Sequence, residues 1–367
     1  MKIGIMTAHC SCNPGASLQA HAVYKAVSDL GHEPYIIDYR PRYFTDIAEK
    51  SFRGDLHGKD HIKMALLGRR LKKRYDRFSQ FEANYYPNKT RCYQTHDDLV
   101  QNVPVLDGYL CGSDQIWNPQ HIHYDGSFFF DFVNGHGQPV ISYAASIGQD
   151  TLHDKDIQFL KDNLGNFSAL SVREDSAVHL LKEMGFPCVQ HVDPTLLFSA
   201  DYWRGISTAS PVQTPDHYIL YYPLQHNPLE LALIQAMKEK FKLPCVAIES
   251  ALRATKGVDI QIPYYSPNEY LWLIDHADYV ITNSFHGCLF SVLFEKCIVP
   301  FKNQYRNCRL ESLFRLLELD GIQVDSVEDF HTKCWDKYWC KGLNTIRIVE
   351  REKQKAFGYL RRAIHDH

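Results

Sequence analysis

The feature that most constrains the fold is a short strand that leads through a tight turn into an apolar helix. It lies at residues 278–294, with the sequence DYVITNSFHGCLFSVLF. Residues 279–281 are typical of a strand, residues 282–284 of a turn and helix N-cap, and residues 288–294 of a buried helix. Because strand, turn and buried helix form the repeating unit of a parallel sheet, this stretch predicts an α/β fold.

The turn of this unit carries polar side chains and a histidine. The residues concerned are Asn283, Ser284, His286 and Gly287. In open α/β sheets ligands bind at the carboxyl ends of strands, and the free N–H groups of a helix N-terminus favour an anion, especially a phosphate. His286 can donate to such an anion and can transfer a proton near pH 7. The alternative is a buried turn histidine that only caps the helix.

The same alternation opens the chain and returns after its middle. Residues 2–7 predict a strand, residues 16–30 a helix and residues 34–38 a second strand, and a new alternation begins at residue 217. Residues 200–216, rich in Ser, Thr and Pro, are typical of a linker. We therefore predict two Rossmann-like, doubly wound domains that face a cleft.

The predicted domain boundaries follow from this alternation. The first domain covers residues 1–205, with a helical insertion at about residues 41–90. The second covers residues 206–340. Residues 341–367 predict a terminal helix that packs back on the first domain.

Composition and charge exclude several classes of protein. The chain has 367 residues, which suits two domains, and its net charge of −3 gives no indication of a nucleic-acid partner. No apolar run approaches the ~20 residues that span a bilayer. The chain begins with a strand instead of a signal-type segment, and its 11 cysteines fit reduced thiols, so we expect a cytoplasmic protein.

Residues 59–77, with the sequence KDHIKMALLGRRLKKRYDR, predict a basic and partly amphipathic helix. Its apolar members include Ile62, Leu66 and Leu67. The simpler interpretation is a solvated helix face. The other is peripheral contact with the inner surface of the cytoplasmic membrane, because basic amphipathic helices attract anionic lipid.

Two strand ends of the first half carry candidate ligand-binding residues. Asn13 and Gly15 lie at the first strand-to-helix turn, which lacks the GxGxxG pattern of dinucleotide sites. Ser113, Asp114 and Trp117 follow the strand predicted at residues 103–111. Asp114 is the candidate carboxylate of this loop, with a turn residue that caps its own backbone as the alternative. Trp117 offers an apolar face on which a sugar ring can stack.

Three arginines are candidates for contact with an anion. Arg173 ends a predicted strand and precedes a helix, where a guanidinium suits a carboxylate or phosphate. The alternative is a structural salt bridge to Glu174 or to a nearby aspartate. Arg306 and Arg309 lie on the loop after the strand predicted at residues 297–301, next to the His286 turn if neighbouring strands pair.

The sequence does not demand a metal. His121, His123 and Asp125 are close together along the chain, but they lack a convincing set of further ligands and are more typical of a loop.

Several short motifs follow one another between residue 2 and about residue 320. They are NPGA at 13–16 with LQA at 18–20, GSDQIWN at 112–118, SYAAS at 142–146, SVRE at 171–174, VDPT at 192–195 and TNSFHG at 282–287. As an ordered set, these motifs resemble those of the polysaccharide pyruvyl transferase family. The two α/β halves likewise resemble the GT-B architecture of glycosyltransferases.

The resemblance implies a bacterial transferase of capsule or exopolysaccharide biosynthesis. Family members move the enolpyruvyl unit of phosphoenolpyruvate onto a sugar, which can be lipid-linked, and close it into a pyruvate ketal with release of phosphate. Phosphoenolpyruvate is then a co-substrate, and no cofactor is expected.

The resemblance also assigns roles to the candidates. Arg173 and His286 match the donor-binding arginine and histidine of the family, and Asn283, Ser284 and Gly287 lie on the donor side. Many members carry an arginine where this chain has Ser284, so Arg306 or Arg309 is the candidate for the missing contact. We expect His286 to protonate the donor or stabilise the phosphate, and Asp114 to act as base or to orient the acceptor. Asn13, Gly15, Ser113 and Trp117 are assigned to the acceptor. The resemblance thus assigns the first domain to the acceptor side and the second domain to the donor side.

Two other functions stay open at this stage. A sugar-nucleotide glycosyltransferase of the same architecture would need a strand-end carboxylate for the ribose, for which Glu249 is the candidate. A non-catalytic saccharide-binding member of the family is favoured by the absence of an arginine at position 284.

Overall fold

The computed structural model describes residues 1–133, 137–149, 151–248, 255–302, 307–339 and 342–365. Its strands are β1 (Lys2–Met6), β2 (Glu33–Ile36), β3 (Gly108–Cys111), β4 (Val140–Ser142), β5 (Ser171–Val172), β6 (Val189–Gln190), β7 (Ile219–Tyr222), β8 (Cys245–Ile248), β9 (Ile260–Ile262), β10 (Tyr279–Thr282) and β11 (Cys297–Pro300). Its α-helices are α1 (Pro14–Asp29), α2 (Ile47–Phe52), α3 (Lys59–Tyr85), α4 (His96–Gln101), α5 (Asp154–Asn163), α6 (Asp175–Glu183), α7 (Ala200–Ile206), α8 (Leu229–Phe241), α9 (Pro267–Asp275), α10 (Phe285–Leu293), α11 (Cys308–Leu316), α12 (Val327–Thr332), α13 (Asp336–Trp339) and α14 (Gly342–His365).

The chain divides into two compact units. The first contains Met1–Asp46, Glu82–Phe198 and Glu350–His367, and the second contains Ile47–Phe81 and Ser199–Val349. The helical segment that we predicted as an insertion in the first domain therefore groups with the second unit from residue 47 to residue 81. Residues 350–367 group with the first unit, in which Tyr359 of α14 donates to the carbonyl oxygen of Ser142 at 2.8 Å.

The first unit is built on a four-stranded sheet in the order β2–β1–β3–β4, with all pairs parallel. In β1, residues 3–6 are all buried, as expected of a strand covered on both faces. The chain passes from β1 to β2 on one side and returns to β3 on the other, so the strand order reverses between β1 and β3. Parallel bridges from Ile141 to Ala169 and from Ala145 to Val172 continue the pairing towards β5.

The second unit contains a five-stranded parallel sheet in the order β11–β10–β7–β8–β9. Its strand order reverses between β7 and β10, because β8 and β9 extend the sheet on one side and β10 and β11 on the other. The strand predicted at residues 279–281 forms the first three residues of β10, and Val280 and Ile281 are fully buried. Two parallel sheets with reversing strand order confirm the predicted α/β class.

Local capping explains where two of the helices begin. The Asn13 side chain accepts a hydrogen bond from the backbone N–H of Ala16 at 3.2 Å, and Pro14 occupies the first helical position of α1. In α9, Ser266 and Glu269 form a capping box, with bonds of 3.2 Å and 2.6 Å between each side chain and the backbone N–H of the other.

The predicted linker at residues 200–216 is wrong in its first half, which forms α7. Ser199 caps this helix by accepting from the backbone N–H of Tyr202 at 3.2 Å. Trp203 is fully buried and packs edge-on against Phe290 at 5.3 Å. The serine, threonine and proline residues of the segment all follow the end of α7.

None of the helices within the described ranges is long and apolar enough to cross a bilayer.

Candidate active site

The polar turn after β10 lies at the point where the second sheet reverses its strand order. Thr282, the last residue of β10, is paired with Tyr222, the last residue of β7. In open α/β sheets this crevice, at the carboxyl ends of the strands, is where ligands bind. The structure thus places the 283–287 turn at the expected ligand-binding edge of its own unit.

Asn283 connects the two strands on either side of this reversal. Its Oδ1 accepts from the backbone N–H groups of Leu224 at 2.7 Å and Gln225 at 3.3 Å, and its Nδ2 donates to the carbonyl oxygen of Gln225 at 2.6 Å. The amide is 1% exposed. Asn283 therefore shapes the loop after β7, and its predicted contact with a donor has no support in these hydrogen bonds.

Ser284 and Thr282 fix the beginning of α10. Ser284 is the N-cap, and its Oγ accepts from the backbone N–H of Gly287 at 3.3 Å. The Oγ1 of Thr282 accepts from the backbone N–H of Ser284 at 3.0 Å and donates to the carbonyl oxygen of Tyr222 at 2.6 Å. Ser284, predicted on the donor side, thus has a capping role.

Gly287 allows α10 to approach β10 closely. A Cβ atom at this position would lie 2.6 Å from Thr282 Oγ1 and 3.2 Å from Tyr222 Cδ1. Both distances are shorter than ordinary van der Waals contacts. The glycine is therefore required by packing, and the helix N-terminus it brings to the strand end is the feature that a bound anion would use.

His286 lies in the first turn of α10. Its side chain is buried, with the residue 7% exposed, and its ring packs edge-on against Phe285 at 5.3 Å. The predicted imidazole is thus located beside the helix N-terminus and at the carboxyl end of β10. Exclusion of water strengthens its interaction with any anion that reaches the turn.

Of the two arginines predicted near this turn, Arg306 and Arg309, the structure describes only Arg309. Arg309 is the second residue of α11 and is 8% exposed. Arg306 lies outside the described residues, as does Glu249, the candidate ribose-binding carboxylate.

In the first unit, the reversal between β1 and β3 is bridged by Gln19 of α1. Its Nε2 donates to Thr7 Oγ1 at 2.7 Å, and its Oε1 accepts from the backbone N–H of Ser113 at 3.1 Å. Thr7 in turn donates to the carbonyl oxygen of Ser113 at 3.1 Å. The residues of the LQA and GSDQIWN motifs are therefore coupled at the carboxyl ends of β1 and β3.

Ser113 is part of this framework and is fully buried. Its Oγ donates to the carbonyl oxygen of Ala144 at 2.6 Å. The hydroxyl predicted to contact the acceptor thus lies inside the unit and ties β3 to β4.

Asp114 follows Ser113 with a backbone φ of 74°, in the left-handed region. Its Oδ1 accepts from the backbone N–H of Gln115 at 2.8 Å, which is the self-capping turn that we considered as the alternative. The side chain keeps 19% of its exposure. Asp114 therefore holds its own turn and still presents a carboxylate towards solvent.

Arg173 is surrounded by three carboxylates. Its Nη1 lies 2.7 Å from Asp193 Oδ2, its Nε 3.2 Å from Glu174 Oε1 and its Nη2 4.0 Å from Asp114 Oδ1. Burial alone would lower the pKa of Arg173, but these carboxylates raise it above its ordinary value. Of the carboxylate side chains, Glu174 is 1% and Asp193 0% exposed, so Asp114 is the accessible member of the three.

The predicted contact of Arg173 with a donor stays a prediction. Its Nη1 and Nε lie within hydrogen-bond distance of Asp193 and Glu174, whereas Nη2 is 4.0 Å from Asp114 Oδ1. The geometry favours the structural salt bridge that the sequence left open as the alternative. Arg173 orients Asp114 and fixes the ends of β3 and β5.

Trp117, predicted as a stacking face for a sugar, is a core residue. It is fully buried, its ring stacks on Phe129 at 5.4 Å with an interplanar angle of 12°, and it meets Phe167 edge-on at 5.2 Å. Because protein rings already cover the indole, Trp117 cannot offer its face to an acceptor.

The first turn of α1 contains both remaining acceptor candidates. Asn13 is half-buried and caps the helix, and Gly15 is buried. The capping bond shows that Asn13 helps to form the helix. The predicted contacts of Asn13 and Gly15 with the acceptor stay predictions.

A buried polar network after β1 and β2 escaped the sequence analysis. His9 is fully buried, with Nδ1 3.1 Å from the carbonyl oxygen of Thr7 and Nε2 2.8 Å from Asp38 Oδ1. Asp38 also accepts from Arg40 Nε at 2.6 Å, and Arg40 pairs with Glu82 at 2.6 Å. Burial alone would raise the pKa of Asp38, but His9 and Arg40 lower it well below its usual range. The sequence feature that could have indicated this network is the position of His9 and Asp38 at the ends of two predicted strands.

No group of three or more His, Cys, Asp or Glu side chains that could hold a metal ion occurs within the described part of the chain. Asp125, from the histidine-containing loop, instead accepts from the hydroxyl groups of Tyr39 at 2.5 Å and Tyr43 at 2.6 Å.

Comparisons with known proteins agree with this architecture. The family model described as polysaccharide pyruvyl transferase matches residues 13–305 of the chain. Among curated proteins, none matches the chain with significant sequence similarity.

Several solved structures share the fold. Anabaena Alr3699/HepE in complex with UDP and glucose is similar with a TM-score of 0.57 and 10% identity, over 100% of both chains. The S. aureus MnaA–UDP structure has a TM-score of 0.54 and 12% identity, over 100% of this chain and 97% of that one. UDP-GlcNAc 2-epimerase from Neisseria meningitidis bound to UDP-GlcNAc has a TM-score of 0.53 and 10% identity, over 100% of both chains. Because the sequence identities are so low, these similarities show the fold alone. The fold is of the GT-B type.

Proposed function

The chain belongs to the polysaccharide pyruvyl transferase family, and we propose that it transfers the enolpyruvyl group of phosphoenolpyruvate to a sugar of a surface-polysaccharide repeat unit. The product is a pyruvate ketal across two hydroxyls, and inorganic phosphate is released. Membership of the family implies that the protein is a transferase. The identity of the donor and that of the product are our proposal.

One observation carries the proposal: His286 lies in the first turn of α10, at the carboxyl end of β10 and at the strand-order reversal of its sheet. A helix N-terminus favours an anion, and a neighbouring imidazole can both donate to a phosphate and supply a proton. A site for an enol phosphate donor requires both a group that binds the phosphate and a group that supplies a proton.

The proposed reaction proceeds by addition and then displacement. A proton is added to the C3 methylene of the donor while an acceptor hydroxyl oxygen forms a bond to C2 and loses its own proton to a base. The C2–O bond to phosphate then breaks, and a second acceptor hydroxyl attacks C2 and closes the ketal with loss of its proton. The reaction therefore requires a general acid, a base and stabilisation of the leaving phosphate.

Two residues are proposed for these roles. His286 protonates the donor or stabilises the departing phosphate from the α10 N-terminus. Asp114 takes the hydroxyl proton or orients the acceptor, because it is the accessible carboxylate of its cluster at 19% exposure. Arg173 acts through Asp114 as a positioning residue, held by Glu174 and Asp193.

Turnover measurements with the full chain test this proposal. We expect phosphate to be released from phosphoenolpyruvate in the presence of bacterial capsule or exopolysaccharide fragments, and the saccharide product to gain an acid-labile ketal visible by mass spectrometry. UDP-glucose and UDP-GlcNAc should not be consumed. Consumption of a UDP-sugar without loss of phosphoenolpyruvate would overturn the proposal.

A GT-B sugar-nucleotide glycosyltransferase is the second candidate. The observation that favours it is the set of structural neighbours whose names include UDP or a UDP-sugar, although these share only 10–12% identity with the chain. The same assay separates the two functions, because glycosyl transfer would release UDP and leave phosphoenolpyruvate intact. A non-catalytic member would bind saccharide and turn over neither donor.

A further inference from the structure

We infer that one face of α3 docks on a membrane rich in anionic phospholipid. This face, called here the outer face of α3, belongs to the second unit and does not depend on the proposed function. It consists of Lys59, Ile62, Leu66, Arg69, Arg70 and Lys73, all of which are exposed.

Helical geometry places these residues on one side. Ile62, Leu66, Arg69 and Lys73 have the spacing i, i+4, i+7 and i+11, which puts them on a single stripe. Ile62 is 61% and Leu66 77% exposed, so two branched apolar side chains stand in solvent one turn apart.

The opposite side of α3 carries a second apolar stripe, and this one is packed. Leu71 is 4% exposed and forms a small core with Ala48, against which Met64, Leu67 and Tyr75 also pack. The helix is thus already anchored to its unit through one stripe. The exposed pair Ile62 and Leu66 on the other side has no part in that anchoring.

The charge of the helix is strongly positive. Residues 59–77 contain eight Lys or Arg and two Asp, whereas the whole chain has a net charge of −3. Within the described part of the chain, no acidic side chain lies within salt-bridge distance of Lys59, Arg69, Arg70 or Lys73. A solvated helix face normally alternates its charges to form i,i+4 pairs. The outer face instead presents cations without compensating carboxylates.

The combination of charge and apolar side chains identifies the partner. Anionic headgroups attract the lysines and arginines, and the boundary between headgroups and acyl chains accepts Ile62 and Leu66. The phosphate backbone of a nucleic acid would use the cations but leave the apolar pair in water.

Vesicle co-sedimentation of the full chain tests the inference. Vesicles of phosphatidylcholine alone are compared with vesicles that also contain phosphatidylglycerol, at low and high salt. Three forms are compared: the wild type, the charge variant Arg69→Gln/Arg70→Gln/Lys73→Gln and the apolar variant Ile62→Ser/Leu66→Ser.

The matched controls are Lys161→Gln/Lys182→Gln/Arg361→Gln, which removes three exposed cations of the first unit, and Val105→Ser, at a position that is 94% exposed. Circular dichroism verifies that each variant is folded.

We expect the wild type to sediment with the phosphatidylglycerol vesicles and to be released by salt. The charge variant should lose at least about tenfold in partition coefficient, and the apolar variant should bind weakly even at low salt. Both controls should bind like the wild type. The inference is overturned if the wild type ignores phosphatidylglycerol, if the charge variant binds like its control, or if a purified acidic protein is bound and vesicles are not.

Discussion

The Arg173 guanidinium donates from Nη1 to Oδ2 of Asp193 at 2.7 Å, with both side chains almost completely buried at 3% and 0% exposure. These residues lie 20 positions apart in the chain. Glu174 and Asp114 complete the surroundings of the guanidinium, so the cation is neutralised by protein carboxylates. This ion pair links the segments after β5 and β6 and explains the family motifs SVRE and VDPT structurally.

Substitution Arg173→Gln should destabilise the first unit by about 3 kcal/mol, because it leaves buried carboxylates without their cation. Amide hydrogen exchange in β3 and β4 measures the change. The control is Arg204→Gln, whose ion pair with Asp275 is on the surface at 43% side-chain exposure for Arg204 and should be worth less than about 1 kcal/mol in the second unit. If both substitutions had equally small effects, Arg173 would not be the structural centre of its cluster.

Gly287→Ala should destabilise the turn after β10. The new methyl group would lie 2.6 Å from Thr282 Oγ1, which is itself bonded to Tyr222, so α10 must move away from its strand. We expect a loss of about 1–3 kcal/mol in the second unit. Gly205→Ala in α7 is the matched control, because nothing lies within 4 Å of its added Cβ. Thermal unfolding should separate the two, and equal midpoints would argue against close packing at Gly287.

We expect acid to destabilise the first unit at pH values that are still above the range in which most carboxylates take up protons. Burial lowers the pKa of His191 and of His21 from 6.5 to about 4. Since each histidine is neutral when folded and takes up a proton when unfolded, its contribution is fully present above pH 6.5 and is lost as the pH falls from 6.5 towards 4. The loss approaches about 3 kcal/mol for each histidine.

Unfolding by urea at pH 7 and pH 5 tests this dependence. The variant His191→Asn should lose less stability than the wild type between the two pH values. An identical difference for both proteins would mean that His191 takes up its proton without unfolding.

The elements predicted correctly from sequence depend on short-range signals. The helix that begins after Asn13 and the strand–turn–helix unit around Ser284 contain their own capping residues, so their conformation can be derived from a few neighbouring positions. The apolar runs of β1 and β10 likewise indicate strands that are buried on both faces.

The features that could not be predicted from the sequence depend on contacts between distant residues. Trp117 was predicted to stack on sugar, but Phe129 and Phe167 cover it only once the loop after β3 has folded. The carboxylate of Asp193 reaches Arg173 because β5 pairs with β6, a pairing that no local pattern announces. The contact between His9 and Asp38 arises for the same reason, since it requires β1 and β2 to be adjacent.

Phosphoenolpyruvate binding to His286→Ala, measured by isothermal titration calorimetry, tests the central claim most directly. Loss of one charge-assisted hydrogen bond should weaken binding about 10- to 100-fold relative to the wild type. The surface variant His179→Ala should bind normally, because this histidine is exposed on α6. The account predicts weak binding by a folded His286→Ala protein. Binding by that protein at wild-type affinity would contradict it.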